Sequence, residues 1–296
     1  MTYKISKKIV GTNTVEVLAN IKTDNPIVDM CWVEDIGLVF THGHHLGLVD
    51  FNGQCDPFWM GNDIEGGNYT DKRDGTVPIF GRLSGIGYLA SIRLLFIGED
   101  EGRNIRVIDI KKGYTNSLIQ KYNADCIAKL LKNTPEETPV WISPVGRNRV
   151  FIAYPSLRKC YFYNSDSFHH IAGDGLCRYS NGVKATITSI GIPSSLAFRD
   201  KSLLIADSLN GVVRSLNGST LDLIVGNPLN STLQSPSKIV VQGGSLFILC
   251  KNAVYSFLFK QNAYSYKPIY EDNNIVNITC DNNKSLFIME EFDANS

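Results

Sequence analysis

No stretch of this 296-residue chain approaches 18 consecutive apolar residues, so it offers no membrane-spanning helix. A basic excess is equally missing. Lys+Arg and Asp+Glu both number 29, and no basic block interrupts the chain. Nucleic-acid binders carry a positive surplus, so a nucleic-acid partner is disfavoured. The first ten residues, MTYKISKKIV, lack the apolar core and small-residue cleavage site of a signal peptide. Paired cysteines are absent too. The seven that occur (Cys31, Cys55, Cys126, Cys160, Cys177, Cys250, Cys280) are odd in number and widely spaced. That spacing excludes a Cys-x-x-Cys metal or redox motif and suggests free thiols in a reducing compartment. The expected location is the cytoplasm, or a large intracellular or virion assembly. Without a signal sequence, the Asn-x-Ser/Thr triplets at Asn68, Asn217, Asn230 and Asn277 read as chance. The chain also lacks a Gly-x-Ser-x-Gly elbow, a Cys/His pair and a phosphate-cradling glycine loop; the glycine-rich run 61–67 leads into a polar loop and not a helix.

What the chain has is a recurring phrase. An apolar strand ends in a small residue, a turn follows, and a second strand resumes. The clearest copy spans 192–216, IPSSLAFRDKSLLIADSLNGVVRSL, and others lie at 85–110, 140–163 and, more loosely, 25–51 and 235–257. Short strands repeated every ~40 to 60 residues mark a propeller built blade by blade. With 43% hydrophobic and 20% charged residues, the composition is globular and gives no reason to expect long disorder.

Within a copy, Leu203–Asp207 alternates poorly but is strongly apolar, as expected of a strand covered on both faces. Ser208–Gly211 carries turn chemistry. Val212–Leu216 resumes with Arg214 inserted, which suits a position nearer the rim. Asn217-Gly218 makes the next tight turn, and Leu221–Val225 closes a four-stranded unit whose innermost strand follows Pro193.

These residues resemble the NHL-repeat family of β-propellers, whose second and third strands typically read Leu-Tyr-Val-Ala-Asp-Thr-Gly-Asn-His-Arg-Val-Arg. Leu203–Arg214 keeps the Ala206-Asp207-Ser208 and Asn210 positions. Leu95–Arg106 keeps the spacing, with Gly98-Glu99-Asp100 at the turn entrance. The first and third copies put His42 and Tyr154 where the acid stands. The Gly-Asp-Gly or Arg-Asp-Gly linker element of that family has counterparts around Asp174 and Asp74. The resemblance covers most of the chain and implies an all-β propeller.

Inner strands starting near Ile27, Ile86, Val140, Ser194, Ser237 and Ile275 predict one domain of six blades: 25–63, 84–121, 139–173, 193–226, 236–271, and 274–290 with 3–21. The last blade has only two strands of its own, so the two strand-like runs at the N-terminus are expected to complete it and close the ring. One segment, 124–132, has helical spacing and reads as a short helix capping a face.

Candidate chemistry is sparse. His42, His44 and His45 surround one turn, and imidazoles are common ligands of transition metals, but a turn rarely aims three at one point. The competing reading is a solvated turn with Gly43 in a backbone conformation few residues accept. His169 and His170 are neighbours on a strand and point to opposite faces. Glu99, Asp100, Glu101, Asp207, Glu290 and Glu291 recur at one blade position. They form either a ring of carboxylates or acceptors for backbone N–H groups in the turns, and the periodicity favours the second. The resemblance extends to lactone hydrolases of the gluconolactonase type, which hold a divalent metal in the channel; here it implies Asp29, Asn277 and Ser195 as polar residues on inner strands. Amidating-lyase relatives need channel histidines, which these turn histidines do not match. Trp59, Glu99, Asp100, Asp174 and Asp207 are the expected binding surface, and the other aromatics are expected to serve inter-blade packing. The leading expectation is a non-enzymatic interaction scaffold with protein partners and no cofactor, in an assembly such as a virion or tail particle. The alternatives are a metal-dependent lactone or ester hydrolase using Ca or Zn, and a glycan-binding propeller.

Overall fold

A computed structural model describes residues 1–61, 78–99, 104–118, 139–165, 167–181, 184–229, 233–259 and 266–292. Two strands open the chain, β1 (Thr2–Ile9) and β2 (Val15–Lys22). Blade 1 is the meander β3 (Ile27–Val33), β4 (Gly37–His42), β5 (His45–Val49) and β6 (Cys55–Gly61). Blade 2 is β7 (Leu83–Leu89), β8 (Leu94–Glu99), β9 (Asn104–Asp109) and β10 (Tyr114–Ser117). Blade 3 is β11 (Trp141–Gly146), β12 (Arg149–Tyr154), β13 (Lys159–Asn164) and β14 (Ser167–Ala172). Blade 4 is β15 (Pro193–Arg199), β16 (Ser202–Asp207), β17 (Val212–Asn217) and β18 (Thr220–Gly226). Blade 5 is β19 (Lys238–Gln242), β20 (Ser245–Cys250), β21 (Ala253–Leu258) and β22 (Tyr266–Glu271). Finally come β23 (Ile275–Cys280) and β24 (Ser285–Phe292).

The sixth sheet has the order β2-β1-β24-β23, so the two ends of the chain build one blade between them. β1 runs antiparallel to β24 from Thr2 opposite Phe292 to Ile9 opposite Ser285. The inner strands then neighbour one another in a closed circle, β3 to β7, β11, β15, β19, β23 and back to β3. This all-β, six-bladed ring agrees with the sequence expectation. The segment 124–132, expected to be helical, lies outside the described residues.

Burial explains why the blades stack. The second strands β4, β8 and β24 are buried almost throughout, because each sheet is covered on both faces by its neighbours. The core is split into six apolar clusters, one at each interface between adjacent blades. Tyr3, Ile5 and Ile21 from the N-terminal strands join Phe40, Phe287 and Met289 in the cluster between blades 6 and 1. Each fully buried Ile, Leu or Phe contributes roughly 1.5–3 kcal/mol relative to an exposed one. The short turns are fixed by side-chain acceptors: Asp50 Oδ1 takes the Asn52 and Gln54 N–H groups, and Asp281 Oδ1 takes those of Asn283 and Ser285.

As expected, Val212–Leu216 lies nearer the rim than β16, as the third strand of its blade. Arg214 is nonetheless fully buried there, with Val212–Leu216 buried around it. Its guanidinium donates to Ser189 O at 2.8 Å, Ser180 O at 2.6 Å and Asn181 Oδ1 at 3.1 Å, pinning the connection between blades 3 and 4. A charged residue on a strand is tolerated inside when its donors are satisfied by fixed carbonyls.

Candidate functional site

The acids at the shared blade position are interior. Glu99, Asp207 and Glu290 are each fully buried. Asp207 accepts the N–H groups of Gly191 (3.1 Å) and Ile192 (3.3 Å) and the Asn210 side chain (2.8 Å). Burial pushes its carboxyl above the ordinary value, against those hydrogen bonds and the nearby Arg214 charge. Glu99 takes the Gly81 N–H at 2.6 Å and the Asn104 amide at 2.7 Å, with Arg106 Nη1 3.9 Å away. Glu290 differs, binding Lys4 Nζ at 2.5 Å and the Tyr270 hydroxyl at 2.6 Å. Glu99 and Asp207 thus staple connections to their blades, whereas Glu290 ties β24 to β1 and to β22 of the neighbouring blade. Asp100 and Glu101 lie outside the described residues.

Nor is the histidine turn solvated. His42 and His45 are buried, their rings 5.6 Å apart with Phe58 edge-on to both. His42 Nε2 lies 2.6 Å from Pro57 O, and His44 Nδ1 lies 3.2 Å from Phe80 O. Gly43 does take the left-handed backbone, φ 51°. Among the described residues no group of three or more His, Cys, Asp or Glu side chains is placed to hold a metal ion. Trp59 is half-buried against the core between blades 1 and 2. Asp174, in the Gly-Asp-Gly element, accepts from Ser189 Oγ at 2.6 Å, the Leu176 N–H at 2.8 Å and Arg178 Nη2 at 3.4 Å. Its burial works the other way, but those bonds and the Arg178 charge hold its carboxyl below the ordinary value. Of the strand histidines, His169 is exposed, whereas His170 bonds Gly173 O at 2.6 Å.

The inner strands do bring together Asp29 and Asn277. Asp29 Oδ1 accepts from the Met30 N–H (2.8 Å), the Asn277 amide (3.2 Å) and the Lys238 ammonium. Its Oδ2 takes the Ile86 N–H of the next blade at 3.1 Å. Asn277 Oδ1 is occupied by the Ile278 N–H at 2.8 Å. Ser195, two blades from Asn277, accepts the Ile239 N–H at 3.1 Å instead of joining this cluster. Bulges at Ile27/Asp29, Pro193/Ser195 and Ile275/Asn277 re-aim these side chains. Lys238 Nζ, 6.0 Å from the Trp141 ring centre, reaches from blade 5 past blade 6 to Asp29 in blade 1. This polar layer floors the axial channel.

Beyond the floor, all six inner strands line a cup of about 480 Å³. It opens at the end where each inner strand turns back into the next. Trp32, Tyr88, Phe198, Ile142 and Val241 are among its walls, with Lys238 at the base. Phe198 is 40% exposed, and Phe51, edge-on to Trp32 at 5.6 Å, is 54% exposed on a turn at the same end. Sequence reading missed Lys238 and Trp141. Their only signal was their place at the start of an inner strand.

No protein-family model matches the sequence, and no curated protein is significantly similar to it. Solved structures of similar fold are numerous. A Bacteroides thetaiotaomicron protein of unknown function superposes with TM-score 0.59 at 10% identity over 94% of this chain, which spans 62% of that one. A chain from a nidogen/laminin complex gives TM-score 0.59 at 13% identity, with 98% and 99% of the two chains covered. A Xanthomonas campestris gluconolactonase gives 0.56 at 13%, covering 90% and 86%. At these identities the likeness establishes the fold alone. Among the described residues no helix is long and apolar enough to cross a membrane.

Proposed function

We propose that this chain, a propeller with NHL-repeat kinship, is a non-catalytic binding module that holds a protein partner on a rigid ring. The observation that carries the reading is the commitment of Asp29. In the axial channel, where a propeller hydrolase would need a free carboxylate for a cation, the Lys238 ammonium already neutralises Asp29. A divalent ion drawing on Asp29 would have to compete with that amine, and at Asn277 Oδ1 it would share the oxygen with the Ile278 N–H. The recurring acids Glu99, Asp207 and Glu290 are likewise engaged within the scaffold. Among the described residues, accessible apolar side chains stand around the cup's rim: Phe51 and Ile92 in connections and Phe198 near the end of β15. A neighbour of similar fold comes from a protein–protein complex, which accords with such a role. A large multi-protein assembly is the setting that suits it.

The test pairs elemental analysis of the purified protein with turnover of a gluconolactone panel. The expected outcome is no stoichiometric divalent ion and no hydrolysis above the solvent rate. Bound Ca or Zn, with turnover abolished in Asp29→Asn, would overturn the proposal in favour of a metal-dependent hydrolase. Cross-linking in the native source should place a protein partner against the rim, and Phe51→Asp with Phe198→Asp should weaken that contact at least tenfold.

A further inference from the structure

We infer that the axial cup is a binding site for a small uncharged ring compound carrying an oxygen acceptor. The inference goes beyond the proposed docking of a protein and can fail while that role stands. It rests on size, wall chemistry and charge. A volume of about 480 Å³ falls within the range of small-molecule sites, roughly 300–1,000 Å³. Trp32, Tyr88 and Phe198 present aromatic walls from three blades, and Ile142, Leu196 and Val241 complete the apolar lining. Flat apolar rings are the ligands such walls bury best.

The charge balance selects a neutral ligand. Among the described residues Lys238 is the one charged side chain lining the cup, and Asp29 compensates it from below, its own side chain only 2% exposed. An entering anion would compete with Asp29 for the same ammonium, and an entering cation would meet that ammonium head-on. Either would lose its hydration without gaining a free counter-charge. A neutral carbonyl or hydroxyl oxygen is treated differently. Lysine carries three N–H donors, so the bond to Asp29 leaves capacity for an oxygen at the base of the cup.

A matched set of probes reads both requirements: benzamide (neutral, with an acceptor), benzoate (anionic) and toluene (no acceptor). Binding is followed by NMR shifts and by protection of Cys280, a half-buried thiol in the wall, against iodoacetamide. Burial and the Asp281 charge push this thiol up to about 12, so little of it is thiolate and its alkylation is slow. Exposed Cys177 serves as the internal reference. Benzamide should slow Cys280 alkylation selectively and bind at least tenfold tighter than benzoate or toluene. Lys238→Met should erase the preference for benzamide over toluene. Because that change leaves Asp29 buried without its partner, Val145→Trp, which fills the cup from the wall, provides the second arm and should abolish protection by every probe. Binding unchanged in Val145→Trp, benzoate binding tightest, or no protection by any probe would each overturn the inference.

Discussion

Asp207 and Asp174 flank the same inter-blade connection and titrate in opposite senses. The raised carboxyl of Asp207 holds its proton more firmly in the folded ring than in the unfolded chain. Its contribution to stability is therefore complete below the ordinary carboxylate value, about 3.9, and is lost as pH rises through the folded value. Asp174, lowered by Ser189, the Leu176 N–H and Arg178, contributes above the ordinary value and loses that contribution as pH falls through its folded value. Urea unfolding between about pH 3 and 7 should show this directly. The stability difference between the parent and Asp207→Asn should shrink with rising pH, while that between the parent and Asp174→Asn should grow. Parallel pH traces for the two variants would refute the assignment.

Inner strands must approach closely enough to close a six-fold circle, and one glycine shows the constraint. A Cβ on Gly85 of β7 would sit 2.5 Å from Val140 O and 3.0 Å from Trp141 Cα, both backbone atoms of the next blade. Gly85→Ala should force blades 2 and 3 apart at a cost of about 1–3 kcal/mol, read from denaturation midpoints. Gly244→Ala, on a turn with nothing within 4 Å, should stay within about 0.5 kcal/mol of the parent. The same element scale separates what the sequence revealed from what it did not. The blades were legible because Leu203–Asp207 and its copies repeat one local phrase, and local chemistry is what periodicity reports. Asp29 and Asn277 were legible as polar interruptions of inner strands. Lys238 was not, since a lysine beside Ser237 reads as solvated. Its role arises only when ring closure brings β3 within reach of the Lys238 side chain, past β23, from 209 residues away in the chain. The burial of Arg214 was not legible for a related reason: its acceptors Ser180 and Ser189 belong to a connection whose path the repeat does not encode.

For the ring as a whole, β1 and β2 are structural members and not appendages. They bury Tyr3, Ile5 and Ile21 and cover the open edge of β24. Deleting residues 1–22 should abolish cooperative melting and expose a strand edge prone to self-association, measured by near-UV circular dichroism and sedimentation. A truncated chain that melts as sharply as the parent would contradict the shared blade. The register of that blade also sets how the molecule responds to mechanical load. Thr2 lies directly across from Phe292, so tension applied through the two termini peels the β1–β24 ladder one rung at a time. Tension between Ile9 and Phe292 would instead shear all its rungs together. Tethered by its ends, this propeller opens like a zipper under weak pulling, yet gripped elsewhere on its circumference it resists as a solid disc.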